Sequence, residues 1–267
     1  MQRRLLLLTN EGVKGTSSHR PSVQDAAERY RIFFKSPLGG CWDDGEIIDM
    51  PTNLTPECQA VWLSGVLSQL NTLTTYSVII FTGHGGAVKV GYNGVECIQL
   101  QGGYLYPIEN LLEEPSQIKR TVIVDACRCR TWLTEDEQHD KDRAAIATAT
   151  KYLNASDCRD YYNELINNTP AHVELVQSTQ YGEPAHASQT GSVFCDSLFN
   201  VIYSNATTWN MTALCNGHDS FLKTTETLVN SATPSMEAIG QKPQFRVFGN
   251  DSGRFPFYAV KRVSKLM

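Results

Sequence analysis

Two short apolar runs constrain this chain more than anything else in it. Tyr76-Ser-Val-Ile-Ile-Phe81 and Thr121-Val-Ile-Val124 are built from β-branched and aromatic residues and bounded by polar or turn residues. That is the pattern of strands buried on both faces. Each run then stops on a reactive side chain, the first leading into Thr82-Gly-His84-Gly-Gly86 and the second into Asp125-Ala-Cys127. In an open parallel sheet, functional groups gather in the crevice beyond the carboxyl ends of the strands. Such a sheet carries His84 and Cys127 at one edge, an imidazole beside a thiol.

That pairing has a chemistry. The thiolate is the nucleophile, and a neighbouring imidazole takes its proton and later returns it to a leaving amine. Taken singly, a cysteine closing a buried strand is a small core residue, and a His-Gly pair is a turn. Together they supply complementary halves of one mechanism. Glycines at 83, 85 and 86 let the backbone approach a ligand, and the amides of Gly85 and Cys127 are the candidate donors to an oxyanion. No third catalytic acid stands out, so a dyad is expected.

The segments Phe81-Thr-Gly-His-Gly85 and Ile123-Val-Asp-Ala-Cys-Arg128 resemble the catalytic His and Cys motifs of the caspase-like cysteine peptidases, the group of caspases, metacaspases, clostripain and gingipains. Their separation is close to the roughly 50 residues usual in caspases. Two departures stand out: Asp125 replaces the caspase Gln, and Cys129 stands where that motif has Gly. The first moves the resemblance toward metacaspases and their bacterial relatives, the orthocaspases. It implies a three-layer α/β sandwich, with a mostly parallel central sheet of about six strands and helices on both faces.

The resemblance also assigns substrate residues. Side chains alternate along a strand, so Asp125 points to the same side as Cys127, and a carboxylate there attracts Arg or Lys and repels Asp. In metacaspases the matching aspartate lies in the pocket for the residue before the scissile bond. Ser22-Val-Gln-Asp25-Ala26 is similar to the segment whose Asp completes that pocket. Asp25 equally fits the first turn of a helix, where the macrodipole favours an acid. Thr82 and Ser178 fall on the substrate side, Ser178 through backbone hydrogen bonds to an extended peptide. Residues 180–192 resemble the family's substrate-flanking loop, and Gly191-Ser-Val-Phe-Cys195 its Gly-x-Phe-Thr helix start, with Cys195 in place of Thr.

Composition sets the outer bounds. With 267 residues, 41% of them hydrophobic and 19% charged, the chain fills one catalytic domain, 1–267. A net charge of −5 and pI near 5.7 give no electrostatic reason for a nucleic-acid or anionic-membrane partner. No stretch approaches the roughly 20 apolar residues of a membrane span. Arg3-Arg4 before Leu5 to Leu8 mimics a signal peptide, but the run stops at Thr9, short of an h-region, and reads as the first strand. The eight cysteines are irregularly spaced, unlike a disulfide framework, and Cys127-Arg-Cys129 is too tight for half a zinc site. A reducing cytoplasm and no metal centre are expected.

Along the chain, strands are expected at 5–8, 46–50, 76–81, 121–126, 172–178, 244–248 and 255–260, with a hairpin around Tyr92-Asn93-Gly94. Helices are expected at 23–34, from Thr55 as cap through Ala60, Val61, Leu63, Val66, Leu67 and Leu70, at 191–200 and near 219–229. Pro256 confines its strand to an edge. His172 and His186 read as surface histidines. Residues 128–170 read either as a solvated loop leading into a helix near 152–167, or, by resemblance, as a self-cleaved or gating segment after the nucleophile. Some metacaspases bind Ca2+; the acids Glu135, Asp136, Glu137 and Asp140 lack EF-hand spacing, and the dyad requires no cofactor.

The function expected from these readings is a cytoplasmic, monomeric cysteine endopeptidase. It cleaves protein or peptide substrates after Arg or Lys and is switched on by a separate activator protein or nucleotide-sensing partner. Compact bacterial relatives are tied to defence or programmed death. The alternatives are a caspase-like fold used as a non-catalytic interaction scaffold, and a Cys-His acyl or ubiquitin-like transferase, for which no acidic pocket is expected.

Overall fold

The computed structural model of the chain describes residues 1–16, 18–20, 22–90, 93–113, 117–126, 136–151, 153–180, 183, 185–188, 191–216 and 220–261. The first half alternates strand and helix: β1 (Arg3–Asn10), α1 (Ser22–Lys35), β2 (Ile47–Asp49), α2 (Pro56–Leu73) and β3 (Tyr76–Gly83). A small antiparallel sheet follows from β4 (Gly85–Val90), β5 (Asn93–Gln99) and β6 (Leu105–Pro107), then α3 (Glu109–Leu112) and β7 (Lys119–Ala126). The second half runs α4 (Asp136–Thr150), α5 (Ala155–Asn168), β8 (His172–Gln177), the short pair β9 (Ala187–Ser188) and β10 (Gly191–Ser192), and α6 (Val193–Asn216). It ends with β11 (Ser220–Thr224), α7 (Thr225–Glu237), β12 (Gln244–Gly249) and β13 (Pro256–Lys261).

The central sheet has six strands in the order β12-β8-β7-β3-β1-β2. Every neighbouring pair is parallel except β12, which runs antiparallel to β8. Because strand side chains alternate, the sheet divides its apolar residues between two cores. Leu5, Leu7, Val78, Ile80, Ile123 and Val176 face the layer of α1, α4, α5, α6 and α7, where Tyr30, Phe33, Tyr162, Phe194 and Met236 complete the packing. Leu6, Leu8, Ile79, Phe81, Val122, Val124 and Leu175 face α2, α3 and the small sheet, against Leu63, Leu67, Leu70 and Ile98. The result is the expected three-layer α/β sandwich.

Local signals explain most boundaries. Thr55 caps α2 by accepting the Cys58 N–H at 3.4 Å, with Pro56 as the first helical residue. Arg3 is fully buried inside β1. Its guanidinium pairs with Glu46 at 3.1 Å and lies 4.5 Å from the centre of the Trp42 ring, while Arg159 reaches the same Glu46 at 2.9 Å. The leader-like start is thus part of the core. No helix among the described residues is long and apolar enough to cross a membrane.

Five expectations are corrected. The helix expected near 152–167 is present as α5, but the stretch before it is not a loop throughout: residues 136–150 form α4, and the two helices set Ile146, Ala149, Cys158, Tyr162 and Ile166 into the core. Of the processed or gating segment expected at 128–170, residues 128–135 lie outside the described residues. Val61 is 73% exposed, on the outer side of α2. The helix expected at 191–200 runs on to Asn216, and the one expected near 219–229 begins only at Thr225, after strand β11, which pairs with β13. His172 is no surface residue. It is fully buried, stacked on Phe255 at 4.1 Å, with Nδ1 2.9 Å from the Pro170 carbonyl.

Candidate active site

Strands β3 and β7 lie side by side in parallel, and their register puts Thr82 opposite Asp125 and Gly83 opposite Ala126. The chain leaves the first strand through His84 and the second through Cys127, so both motifs issue from one edge of the sheet. Cys127 itself, as nucleophile and as oxyanion donor, lies outside the described residues. Its predecessor Ala126 donates its N–H to the Ser178 hydroxyl at 3.3 Å. On the histidine side, a Cβ at Gly85 would come within 2.9 Å of the Ala126 Cβ. Glycine at 85 lets the two strand ends close on each other.

His84 is half-buried, and its Nε2 lies 2.6 Å from the backbone carbonyl of Ser18. A carbonyl only accepts, so Nε2 carries the proton and the neutral ring keeps its lone pair on Nδ1. Burial lowers the His84 pKa, opposed by the Ser18 bond and helped by the charge of Arg20. The ring is therefore held in one orientation by another group. That group is a main-chain carbonyl in the Gly/Ser/Thr-rich loop after β1. Asn10 shapes the loop: its Oδ1 accepts the Gly12 N–H at 2.9 Å and its Nδ2 donates to the Gln99 carbonyl at 2.6 Å. Gly12 has φ +78, and a Cβ there would fall 2.2 Å from the Ser18 oxygen. The contact of His84 with Ser18 was not read from the sequence; the available signal was the Asn10-x-Gly12 turn.

Asp125 is buried to 1% exposure on the face shared with α1 and α6. Its Oδ2 accepts the Ser192 hydroxyl at 2.5 Å, and Ser192 in turn accepts the Cys195 N–H at 2.8 Å, capping α6. Its buried Oδ1 has no hydrogen-bond partner among the described residues. Desolvation is the main cause that lifts the Asp125 pKa to about 7; the Ser192 bond and Arg29 pull it down and Asp196 pushes it up. Arg29 cannot neutralise Asp125 freely, because it is itself clamped by Asp142 at 2.6 Å and by Asp196. Ser192 and the Arg29 cluster were not singled out from the sequence. The available signal was Ser192 at a helix start.

The remaining candidates scatter. Thr82 donates its hydroxyl to the Val23 carbonyl at 3.0 Å and is buried, so it anchors α1 against β3 rather than offering a hydroxyl to substrate. Ser178 donates its N–H to the Val124 carbonyl at 3.0 Å, and its own carbonyl accepts from the Gln241 side chain at 2.7 Å. Both backbone groups expected to meet a peptide are thus engaged internally, and Ser178 instead holds the end of β7. Gln241, absent from the sequence reading, also accepts the His186 N–H at 2.9 Å and so ties down the loop after β8. Asp25 sits in the first turn of α1, beside a cleft of about 400 Å³ that it lines with Thr9, Glu28, Arg31 and Asp49. His84 and Asp125 are not among the described residues of that cleft. Among the described residues, no group of His, Cys, Asp and Glu is arranged to hold a metal ion.

The architecture is the caspase-like fold. The chain is similar to the solved structure of protein GSU0716 from Geobacter sulfurreducens, with a TM-score of 0.58 at 13% identity over 94% of this chain and 95% of that one. It is similar also to caspase-1 of Spodoptera frugiperda, with a TM-score of 0.53 at 11% identity over 99% and 92%. The Drosophila initiator caspase Dronc gives 0.51 at 12% over 95% and 81%. No family model matches the chain, and no curated protein matches it.

Proposed function

We propose that this chain is a cysteine endopeptidase that cleaves after a basic residue. The observation that carries the reading is the unpartnered Oδ1 of buried Asp125, two residues before Cys127 and opposite the end of the histidine strand. A buried carboxylate left half-satisfied is costly unless something cationic completes it. A substrate Lys or Arg supplies that cation, and charge-assisted pairing turns the cost into recognition.

The catalytic steps follow from the tautomer of His84. Its Nδ1 takes the proton of the Cys127 thiol, and the thiolate attacks the scissile carbonyl. The amides of Gly85 and Cys127 donate to the oxygen as it becomes an anion. The C–N bond breaks, the amine leaves with the proton from His84, and a thioester remains on Cys127. Water, deprotonated by the same imidazole, releases the acid product and restores the thiol. The Ser18 carbonyl keeps the ring in its working orientation throughout.

Arg128 and Arg130 follow the nucleophile directly, and cleavage after either would be self-processing within 128–135. The described cysteines, Cys41, Cys58, Cys97, Cys158 and Cys195, are free thiols, which supports a reducing compartment. The test is hydrolysis of matched fluorogenic peptides ending in Arg, Lys or Asp, with Cys127→Ala alongside and intact masses recorded. Cleavage after Arg or Lys that disappears in the variant is the expected result. Cleavage after Asp, or activity retained by Cys127→Ala, rejects it. A wild-type protein that turns over none of the peptides and fails to react with a thiol-directed arginyl probe is a scaffold.

A further inference from the structure

The pocket acid is held from one side only. The Ser192 hydroxyl has a single proton, and it is given to Asp125 Oδ2 at 2.5 Å. The hydroxyl cannot turn away cheaply, because the same oxygen accepts the Cys195 N–H at 2.8 Å and caps the long helix α6. Helix and acid therefore share one hydroxyl, and Oδ2 stays engaged. Oδ1 is the oxygen left buried without a partner.

We infer that Ser192 is a specificity-determining positioning residue, and that by engaging Oδ2 it makes the site choose a lysine side chain over an arginine. The inference rests on the reading of Asp125 as the pocket acid. A guanidinium binds a carboxylate best as a fork, with two parallel N–H groups on two oxygens. Here one of those two acceptors is already committed. An ammonium is a compact point charge with all three donors on one nitrogen, so a single oxygen satisfies its principal demand. The clamping of Arg29 by Asp142 and Asp196 leaves the neighbouring cation occupied, so the substrate supplies the missing charge.

The test uses full-length Cys127→Ala protein and calorimetric titration with two peptides that differ only in Lys or Arg before the scissile bond, at a pH above the titration range of Asp125. The Lys peptide binds about tenfold tighter, the usual worth of one charge-assisted hydrogen bond. Adding Ser192→Ala frees Oδ2 and moves the ratio about tenfold toward Arg, and Ser192→Thr, which keeps the hydroxyl, restores the Lys preference. Ser192→Gly, which removes the hydroxyl with less damage to the cap, replaces the alanine variant if that one fails to fold. An unchanged ratio in the variant without the hydroxyl overturns the role of Ser192 and leaves the basic pocket standing. Binding of neither peptide, or binding that survives Asp125→Asn, overturns both.

Discussion

Glu174 and Asp125 are buried carboxylates on adjacent strands, and they are treated in opposite ways. Glu174 on β8 lies opposite Thr121, nearer the start of β7. Its Oε1 accepts the Phe255 N–H at 2.8 Å and lies 3.3 Å from His172 Nε2, and its Oε2 lies 3.4 Å from the Thr121 hydroxyl, which also meets the Tyr76 hydroxyl at 2.9 Å. Both oxygens are satisfied inside the protein. Asp125, at the far end of β7, has one oxygen bonded and the other bare. Native structures rarely leave a buried polar atom unpaired, and a closed network adds rigidity where a half-open one adds cost. The satisfied acid is architecture, and the half-satisfied one is the acid to which the proposed function assigns a ligand.

That contrast is sharpest in the effects of removing each acid. Glu174→Ala leaves His172, Thr121 and the Phe255 amide without their acceptor, and should cost about 3–5 kcal/mol in urea unfolding. A loss below about 1 kcal/mol would erase the distinction. Asp125→Asn should leave stability within about 1 kcal/mol of wild type, because it removes a carboxylate that was never fully compensated. The same change should cut kcat/KM for basic peptides about 100-fold. Equal turnover of basic peptides by the two proteins would place recognition elsewhere.

Gly12→Ala probes the Ser18 carbonyl, which in the proposed mechanism orients His84. The new Cβ must displace the Ser18 carbonyl, and His84 loses the bond that sets its tautomer. A fall in kcat of about tenfold with little change in KM is expected, since orientation rather than binding is lost. A change in KM alone would mean that the loop binds substrate instead.

The pH profile is the mildest test. Asp125 titrates higher in the fold than in the unfolded chain, so between its ordinary value and about 7 the native state binds more protons than the unfolded one. Stability of the free protein therefore falls as pH rises through that window, and Asp125→Asn should flatten the slope. Binding of a cation has the opposite sign: KM for basic peptides should fall as pH rises through about 7, when Asp125 becomes charged. Burial lowers the His84 pKa, so the limb from its protonation moves to lower pH, away from that of Asp125.

The strands and where they end were legible because a buried strand has a local signature. Runs such as those at 76–81 and 121–126 need no partner to be recognised, and a residue just past the run is placed at the sheet edge by topology alone. The helix at 136–150 was missed because composition cannot distinguish an exposed acid from Asp142, which is buried against Arg29 of α1. His172 was misjudged for the same reason, since its burial depends on Phe255 far along the chain. Ser178 and Thr82 were read as substrate-side residues, yet their hydrogen-bonding groups are claimed by Gln241, Val124 and Val23, partners no local pattern reveals.

What the amino-acid order decided alone is the alternation of strands and helices, the apolar faces, and the delivery of His84 and Cys127 beyond two strand ends. These depend on periodicity and chain direction, which are local properties. What only the tertiary structure decided is the state of the groups: which nitrogen of His84 is protonated, which oxygen of Asp125 is left open, and which acids are closed off. Those depend on a backbone carbonyl at Ser18, a helix cap at Ser192 and a clamped Arg29, contacts made between segments remote in sequence and therefore set by packing rather than by any local pattern.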